Sequence, residues 1–306
     1  MINSLFIILV NFGEADQTID CVKSLRKSSL TDFNVIIIDN GGTSDSRKIL
    51  QQACHGVVVL STEQNLGFGG ANNMGIDYAL QNGADLILLL NNDTIVKEDT
   101  IEKLVETAKQ EPEAGIIGAK IHYYDKPNTL WYAGGRLDID RGLGTHIGIG
   151  KEDDGLQQHC VETDFVTGCC MLIKREVIEK IGKLDHSYFL YLEDADYSVR
   201  AKRAGYSVLY QPAAVLYHRV SSSIRWDSPT YVYFNLRNKI LFLRKNGNPR
   251  KWLFNLQYFI YFYGRQFVRL ILKHKNYRAA RAAFLGLRDG LINYTGSNGE
   301  GSLYKL

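Results

Sequence analysis

Over the first 120 residues, short apolar runs alternate with segments of helical periodicity. The runs read LFIILV, NVIIID, GVVVLS, ADLILLL and AGIIGAK, and the helical segments between them are Thr18–Lys27, Asp45–Gln52, Ala71–Leu80 and Asp99–Gln110. Runs that are apolar on both faces predict strands of a parallel sheet, and the intervening segments predict crossover helices on both sides of it. Asp99 and Glu102 are expected to cap the fourth helix.

The pattern changes in the middle of the chain. A glycine-rich stretch, Ala133–Gly155, predicts either a long loop or a β-hairpin over the crevice at one end of the sheet. The elements predicted beyond it are a strand over DFVTGCCMLI, a helix near Arg175–Ile181, a helix over Glu193–Ala204 that ends at Gly205, and short strands around Val208 and Val215 that lead to His218.

Polar side chains follow each of the first four predicted strands. They are Asn11, then Asp39 and Asn40, then Asn65, and finally Asn91, Asn92 and Asp93. In open parallel sheets, ligands bind beyond the carboxyl ends of the strands. A single Asn or Asp at a strand end is commonly a turn residue, but four polar ends in a row favour a shared binding crevice.

The composition is that of a folded protein with room for a sizeable core. The chain has 306 residues, of which 45% are hydrophobic and 23% are charged, and this length suits one large domain or one domain with an appendage. The five cysteines include no CxxC pair, which indicates reduced thiols. The N-terminal apolar run lacks a basic flank and a cleavage site of small residues, so a cytoplasmic location is expected.

The net charge of +3 conceals a division between body and tail. Residues 228–290 contain 13 Lys and Arg and one acid, Asp289, whereas residues 1–227 contain 22 basic and 31 acidic residues. Such a basic segment indicates an anionic partner, either a membrane surface or a nucleic acid. Within it, Trp252–Leu272 has apolar residues at helical spacing, but arginines leave its uncharged run too short to span a bilayer. This helix is expected either to lie in a lipid interface or to pack on the body or in a dimer.

Asp93 is the candidate metal ligand, because a carboxylate at a strand end offers the oxygen atoms that Mg²⁺ and Mn²⁺ prefer. Asn91 and Asn92 beside it carry no charge, so a metal ion is expected to bind weakly until the phosphates of a nucleotide complete its shell. His218, at the end of a predicted strand, would add an imidazole nitrogen, although a lone histidine is more often structural.

Three acids, Glu193, Asp194 and Asp196, open the last predicted helix of the body. The helix dipole accounts for one or two acids in a first turn, and the third favours a chemical role. If they face the crevice, one carboxylate can take the proton from an acceptor hydroxyl. Arg200 and Arg203 lie further along the helix and are expected to hold the acids by pairing.

The segment NLGFGGANNMGI places Gly67, Gly69 and Gly70 between the third predicted strand and a helix. Glycines here allow the backbone to approach a nucleotide or sugar closely. The segment reads GxGG rather than GxGxxG and does not follow the first strand, so it is weak evidence for NAD binding.

Taken in order, these segments resemble those of family 2 glycosyltransferases with the GT-A fold, especially the rhamnosyltransferase-like branch. The matching segments are VNFGEADQTIDCVKSL, IIIDNGGTSD, NLGFGGANNMGI, LLLNNDTIV, GCCMLIKREVIEKIGKLDHSYFLYLEDADYSVRAKRAGY and AAVLYHRVSSS. The resemblance covers about residues 5–223 and implies an α/β fold with a Rossmann-like mixed sheet, mostly parallel, with helices on both faces and a C-terminal helical extension. Residues 1–227 would form the catalytic domain, and residues 228–306 a basic helical region that contacts a membrane surface or another subunit.

The resemblance also implies roles for the residues that match by position. The implied donor-nucleotide site consists of Asn11, Asp39, Asn65, Gly67, Asn72, Asn92 and Asp93. Asn11 and Asp39 would recognise the base and ribose. Asp93 would bind Mn²⁺ or Mg²⁺ as the acid of a DxD-like element whose other acids are replaced by Asn, and His218 would be a further ligand. Asp194, beside Glu193, matches the general base.

The implied activity is an inverting transfer of a sugar, with rhamnose favoured, from a nucleoside diphosphate donor such as dTDP-rhamnose or a UDP-sugar. The acceptor would be a saccharide or a lipid-linked glycan of bacterial surface polysaccharide synthesis, and no nucleic-acid partner is expected. One alternative is a non-catalytic nucleotide-binding or scaffolding subunit of a polysaccharide assembly complex, which the presence of Asp93, Asp194 and His218 disfavours. The other is a dinucleotide-dependent oxidoreductase.

Overall fold

A computed structural model describes residues 4–155, 158–220, 227–251 and 275–296, together with 257, 261, 263–265, 268–269, 271 and 300–302. The described strands are β1 (Leu5–Asn11), β2 (Asn34–Asn40), β3 (Val58–Thr62), β4 (Leu86–Asn91), β5 (Thr94–Val96), β6 (Ala114–Tyr123), β7 (Lys126–Tyr132), β8 (Gly135–Asp138), β9 (Leu143–His146), β10 (Val161–Glu162), β11 (Cys170–Lys174) and β12 (Ser207–His218). The described helices are α1 (Asp16–Leu25), α2 (Ser44–Ala53), α3 (Gly67–Gln81), α4 (Thr100–Gln110), α5 (Arg175–Ile181), α6 (Glu193–Arg203), α7 (Pro229–Asn246) and α8 (Tyr277–Leu291). Most of the predicted tail helix, Trp252–Leu272, lies outside the described residues, so the predictions for it remain predictions.

The main sheet is mixed, and the four strands at its β3 end are parallel, as predicted. Its strand order is β10-β12-β6-β11-β4-β1-β2-β3, while β5 pairs with β12 and β7 with β6. Strands β3, β2, β1 and β4 run parallel, and β11 lies antiparallel between β4 and β6. The chain order reverses at β1, which has β2 on one side and β4 on the other. This switch point is where open α/β sheets bind ligands.

Both faces of the sheet are buried, which explains the continuous apolar runs. Ile7 and Leu9 of β1 pack into one hydrophobic cluster, and Phe6 and Ile8 pack into the cluster on the opposite face. Each such side chain contributes about 1.5–3 kcal/mol when it leaves water. The β1 run must therefore lie in the middle of the sheet, which fixes the position of Asn11 at its end.

Three local predictions differ from the structure. Helix α3 begins at Gly67 rather than at Ala71, because the Asn65 side chain accepts the Gly67 N–H at 2.8 Å and starts the helix early. Asp99 makes no side-chain capping bond. Glu102 does not cap α4 either, because its carboxylate accepts a hydrogen bond from the Ser29 hydroxyl at 2.7 Å.

Two other local predictions are confirmed, and a third is corrected. The glycine-rich stretch contains the antiparallel hairpin β8–β9. Gly205, with φ +93°, follows the end of α6 in a left-handed conformation that glycine adopts most easily. The two short strands predicted before His218 are instead parts of the single strand β12, which has an irregularity between Gln211 and Val215.

Helix α7 joins the C-terminal region to the body of the protein. Its Tyr233 and Phe234 are fully buried, and Phe234 stacks on Phe189 with ring centroids 5.1 Å apart. Helix α8 packs along α7 through small residues, including Ala279 and Ala283. Among the described residues, every helix falls short of the length and apolar character that crossing a bilayer requires.

Candidate active site

Asp93 and His218 lie together although 124 positions separate them in the sequence. Asp93 lies in the turn between β4 and β5, and β5 pairs with the end of β12 so that His218 is opposite Thr94. The result is a distance of 3.0 Å between Asp93 Oδ1 and His218 Nε2, with the two side chains only 16% and 8% exposed. The structure therefore brings together the two residues named as metal ligands, while their binding of a metal ion stays a prediction.

The donor set of this pair suits a divalent cation. Asp93 Oδ1 is buried and accepts no hydrogen bond from any described residue, despite its closeness to the imidazole. Neighbouring ligands of an octahedral Mg²⁺ ion, each about 2.1 Å from the metal, lie about 2.9 Å apart. The described residues contain no cluster of three or more His, Cys, Asp or Glu that could hold a metal ion. Asp93 and His218 thus supply two ligands, and further oxygen ligands would have to come from elsewhere.

A chain of buried hydrogen bonds links the ends of β4, β1 and β2. Asn92 donates to the Thr18 hydroxyl at 2.8 Å, and that hydroxyl donates to Asn11 Oδ1 at 2.6 Å. Asn11 in turn donates to Asp39 Oδ1 at 2.9 Å, and the Ser46 hydroxyl donates to Asp39 Oδ2 at 2.7 Å. The structure therefore brings three predicted donor-site residues into one network. Their contact with a nucleotide remains a prediction, since Asn11 and Asp39 are fully buried.

Thr18 and Ser46 were not among the predicted site residues. Each belongs to a helix that follows a strand end, and each donates one hydroxyl hydrogen to a site side chain. Isolated Thr and Ser residues occur throughout the sequence, so no pattern distinguishes these two. Only the packing of α1 and α2 against the sheet identifies them.

Asn65 lies in a second network around Gly67. Asn40 donates to Asn65 Oδ1 at 2.8 Å, and the same oxygen accepts the Gly67 N–H. Asn72, in contrast, is almost completely buried, and its amide group donates to the carbonyl of Phe68 within α3. The predicted contact of Asn72 with the nucleotide is not tested by this geometry.

The two acids that begin α6 have different surroundings. Asp194 is held by backbone amides, because Oδ2 accepts the Gly168 N–H at 2.9 Å and Oδ1 accepts the Ala195 N–H at 2.7 Å. Glu193 is buried, and its Oε2 has no hydrogen-bond partner among the described residues. Burial raises the pKa of Glu193 well above its usual range, and the neighbouring Asp194 carboxylate raises it further. Burial also raises the pKa of Asp194, although its amide donors oppose that shift.

The third acid of this helix has a structural role. Asp196 is buried, pairs with Arg200 at 2.8 Å and accepts a hydrogen bond from Asn246 at 2.8 Å. The expected pairing of Arg200 with an acid is confirmed. The same expectation for Arg203 is wrong, because its guanidinium bonds to the side-chain and backbone oxygens of Asn246.

The segment Gly168–Cys169 links the end of β4, beside Asp93, to Asp194. The Gly168 N–H donates to Asp194, and the Cys169 carbonyl accepts the N–H of Asn91 at 2.9 Å. Burial raises the pKa of the Cys169 thiol, and the nearby carboxylates of Asp93 and Asp194 raise it further. Asp194 and the strand end that carries Asp93 are therefore hydrogen-bonded to the same two residues that precede β11.

An aromatic hollow of about 330 Å³ adjoins His218. Its lining includes Tyr123, Tyr124 and Thr129. On another side of the imidazole, the Trp131 ring contacts His218 edge-on with centroids 4.5 Å apart. Aromatic walls beside a carboxylate and an imidazole suit a sugar, which presents both apolar faces and hydroxyl groups.

The order of the strands in the sheet and the acid–imidazole pair at its polar edge agree with the class that the sequence resemblance implies, the nucleotide-sugar-dependent glycosyltransferases with the GT-A fold. The chain belongs to glycosyl transferase family 2, whose model matches residues 6–182. The family, the fold class and the enzyme class predicted from the sequence are confirmed.

Named relatives agree with this assignment. The low-salt glycan biosynthesis hexosyltransferase Agl10 of Haloferax volcanii is 29% identical over 97% of this chain and 94% of its own. The N-acetylglucosaminyl-diphospho-decaprenol L-rhamnosyltransferase of Mycobacterium tuberculosis is 24% identical over 82% of this chain and 89% of its own. The rhamnosyltransferase WbbL of Escherichia coli is 23% identical over 78% of this chain and 94% of its own.

Solved structures share the fold at low sequence identity. GalNAc-T7 with UDP, GalNAc and Mn²⁺ matches with a TM-score of 0.61 and 15% identity, over 79% of this chain and 48% of the matched chain. The mannosyltransferase PcManGT from Pyrobaculum calidifontis, in complex with GDP-Man and Mn²⁺, matches with a TM-score of 0.56 and 12% identity, over 97% of this chain and 77% of the other.

Proposed function

We propose that this chain is an inverting glycosyltransferase that transfers a hexose, with rhamnose favoured, from a nucleoside diphosphate sugar to a saccharide or lipid-linked glycan. The observation that carries the proposal is that the Gly168–Cys169 segment bonds both to Asp194 and to Asn91, two residues before the Asp93 that pairs with His218. The rhamnosyltransferases among the relatives support the choice of sugar, and one relative's name includes a diphospho-decaprenol acceptor.

In this proposal Asp194 is the general base. Its carboxylate takes the proton of the acceptor hydroxyl, the oxygen forms a bond to the anomeric carbon, and the bond from that carbon to the diphosphate breaks. The two backbone N–H donors fix the orientation of the carboxylate. Burial raises the pKa of Asp194, which makes the carboxylate a stronger base than an exposed one.

Asp93 and His218 would hold Mn²⁺ or Mg²⁺ together with the donor diphosphate. Such an ion would neutralise the charge that develops on the leaving nucleoside diphosphate. Asn92 and the Asn11–Asp39 pair would bind the nucleotide at the neighbouring strand ends.

The test is the Asp194→Asn variant, assayed with dTDP-rhamnose and a panel of UDP-sugars in the presence of Mn²⁺. Transfer should fall by about 10²- to 10⁴-fold, which is the usual contribution of a general base, while donor binding measured by calorimetry should stay within about threefold. Asp196→Asn is the matched control, because it changes an acid two residues along the same helix that bonds to Arg200. A folded Asp194→Asn enzyme with full transfer would refute the role of Asp194.

The same assay separates the enzyme from a scaffolding subunit. Wild-type protein that binds a nucleotide sugar with Mn²⁺, yet catalyses neither transfer nor slow donor hydrolysis, would favour the scaffold. An NAD titration that shifts the unfolding temperature would favour the oxidoreductase alternative instead.

We further propose that the basic C-terminal region contacts an anionic membrane surface. Its solvent-facing side chains on α8 include Tyr277, Phe284 and Arg281, with Tyr277 and Phe284 more than half exposed. The one acid between residues 228 and 290, Asp289, is completely buried. Exposed aromatic and basic side chains without acids favour anionic lipid.

Vesicle flotation with phosphatidylglycerol and with neutral phosphatidylcholine tests this contact. Arg281→Glu together with Phe284→Ser should weaken binding to the anionic vesicles, whereas Lys48→Glu on exposed α2 should have little effect. Equal flotation of both variants would refute the membrane contact. A wild-type dimer in sedimentation that the α8 changes convert to monomer would assign this face to a homodimer.

A further inference from the structure

The loop that leads into α6 has an unusual backbone. Phe189, Tyr191 and Leu192 all have positive φ, at 62°, 73° and 72°. Only two other non-glycine residues among the described part of the chain, Lys275 and Asn293, share this feature. Large side chains adopt this conformation only where the surroundings hold it. The next two residues are Glu193 and Asp194, so the strained loop sets where these acids lie.

Helix α7 supplies the donors that hold this loop. Asn238 is completely buried, and its amide group donates to the carbonyl oxygens of Tyr188, Leu190 and Tyr191 at 2.9, 2.7 and 2.9 Å. Arg237 is also completely buried, and its Nη2 donates to the carbonyls of Ser187 and Tyr188 at 2.9 and 2.7 Å. Four carbonyl groups of one short loop are thereby turned toward two adjacent side chains.

The orientation of the Asn238 amide is determined by its neighbour. Arg237 Nε donates to Asn238 Oδ1 at 2.9 Å, so the oxygen faces the guanidinium and the NH₂ group faces the loop. The reverse orientation would place two donors together and an acceptor against three carbonyls. The pair therefore acts as one unit in which each residue needs the other.

The same loop also reaches the donor side of the site. The Phe189 carbonyl accepts the N–H of Phe68 at 2.6 Å, at the start of α3. Gly67, with φ +70°, lies so close to Phe189 that no side chain fits between them. A displacement of Phe189 would therefore disturb the Asn65–Gly67 hydrogen bonds as well as the position of Asp194.

We propose that Arg237 and Asn238 are positioning residues, which hold the left-handed loop 187–192 and so aim the Asp194 carboxylate at the acceptor and fix Phe189 against the donor-side glycine. This inference rests on the proposed role of Asp194. It assigns part of the basic C-terminal region to the active site rather than to a separate appendage.

The principal test is Asn238→Asp, which keeps the size of the side chain but removes both N–H donors. The turnover number should fall by about 10- to 100-fold, as expected for a misplaced catalytic group, and the donor KM should rise as well, because the same loop fixes Phe189 against Gly67. Amide hydrogen exchange of residues 187–195 should accelerate in the same variant.

Arg244→Gln is the matched control on the same helix. It removes the hydrogen bonds from Arg244 Nη1 to the carbonyls of Gly290 and Leu291, both at 3.0 Å, but none to the loop. It should lower the unfolding midpoint without changing the turnover number or the exchange of the loop. Leu192→Gly added to Asn238→Asp should restore part of the lost turnover, because glycine adopts positive φ without penalty.

The outcomes separate this proposal from the proposed function. Wild-type protein without transfer would overturn the function, and hydrogen exchange would still report on the loop. Unchanged loop exchange in Asn238→Asp, or equal turnover losses in Asn238→Asp and Arg244→Gln, would overturn the positioning role. If Asn238→Asp does not fold, Arg237→Lys, which keeps the positive charge but loses the planar fork of guanidinium donors, should lower turnover by about threefold or more. Full turnover in that variant would also overturn the positioning role.

Discussion

Gly67→Ala tests how tightly the donor-side glycine is packed against the loop that precedes α6. Gly67 has φ +70°, and a Cβ atom there would lie 2.6 Å from the Phe189 ring carbon Cδ2 and would overlap the Phe189 carbonyl oxygen. Alanine at positive φ costs about 1–2 kcal/mol. Moving the Phe189 carbonyl away would also weaken its hydrogen bond from Phe68, which is worth about 0.5–1.5 kcal/mol.

The expected loss in free energy of unfolding is therefore about 1.5–3.5 kcal/mol, measured by urea denaturation. Gly83→Ala is the control, because Gly83 has φ +79° but nothing within 4 Å of an added Cβ. It should cost only the backbone term of about 1–2 kcal/mol. The difference between the two variants isolates the close approach at Gly67.

Activity provides a second comparison. Gly67→Ala should lower kcat/KM for the donor by about 10-fold or more, as a displacement near the site commonly does, whereas Gly83→Ala should leave it within about twofold. Equal stability losses in the two variants, with donor kinetics unchanged in both, would refute the packing argument. It would also weaken the inferred coupling between the loop and the nucleotide side.

Further predictions concern the ionisable residues. Glu193→Gln should raise the free energy of unfolding near pH 8 but leave it unchanged near pH 4. The pKa of Glu193 is raised above the ordinary 4.5, so burying its ionised carboxylate costs stability only as the pH rises. Equal effects at both pH values in urea denaturation would contradict this. The acid limb of wild-type turnover should lie above pH 3.8, because burial raises the pKa of the Asp194 base, and a limb below that value in a pH–rate profile would contradict the assignment. Asp93→Ala should weaken Mn²⁺-dependent binding of a nucleoside diphosphate by about 10-fold or more in calorimetry. His218→Ala should also weaken this binding, by a smaller factor. If binding in both variants depends on Mn²⁺ as it does in the wild type, neither residue is a metal ligand.

The sequence pattern was sufficient for the sheet and for the residues at its strand ends. Continuous apolar runs demand burial on both faces, and such burial requires a covered, mostly parallel sheet. The positions of Asn11, Asp39 and Asp93 then follow from the ends of those runs. The contact of Asp93 with His218 did not follow from pattern, because it depends on the register between β5 and β12.

Hydroxyl donors and helix starts were harder to predict. Thr18 and Ser46 each make one decisive hydrogen bond, but their residue types carry no signal of it. The early start of α3 depends on the Asn65 side chain, whereas propensity alone disfavours a helix that begins with glycine. The capping pair predicted at Asp99 and Glu102 also fails because of a contact that the local sequence does not show. Glu102 accepts a hydrogen bond from Ser29, which lies far away in the sequence.

The basic tail shows why a charge count misleads about function. Arg237 contributes to the excess of positive charge, yet its side chain is completely buried. Burial of a guanidinium is costly unless it is hydrogen-bonded, and here loop carbonyls supply the partners. Arg244 is likewise engaged, with the carbonyls of Gly290 and Leu291 at the end of α8. An anionic partner would therefore bind the remaining exposed basic side chains, such as Arg281. The buried Arg237 on α7 instead bonds to the loop that precedes the acids of α6. A deletion of the whole tail would remove both roles at once, which is why point variants on α7 and α8 are needed to separate them.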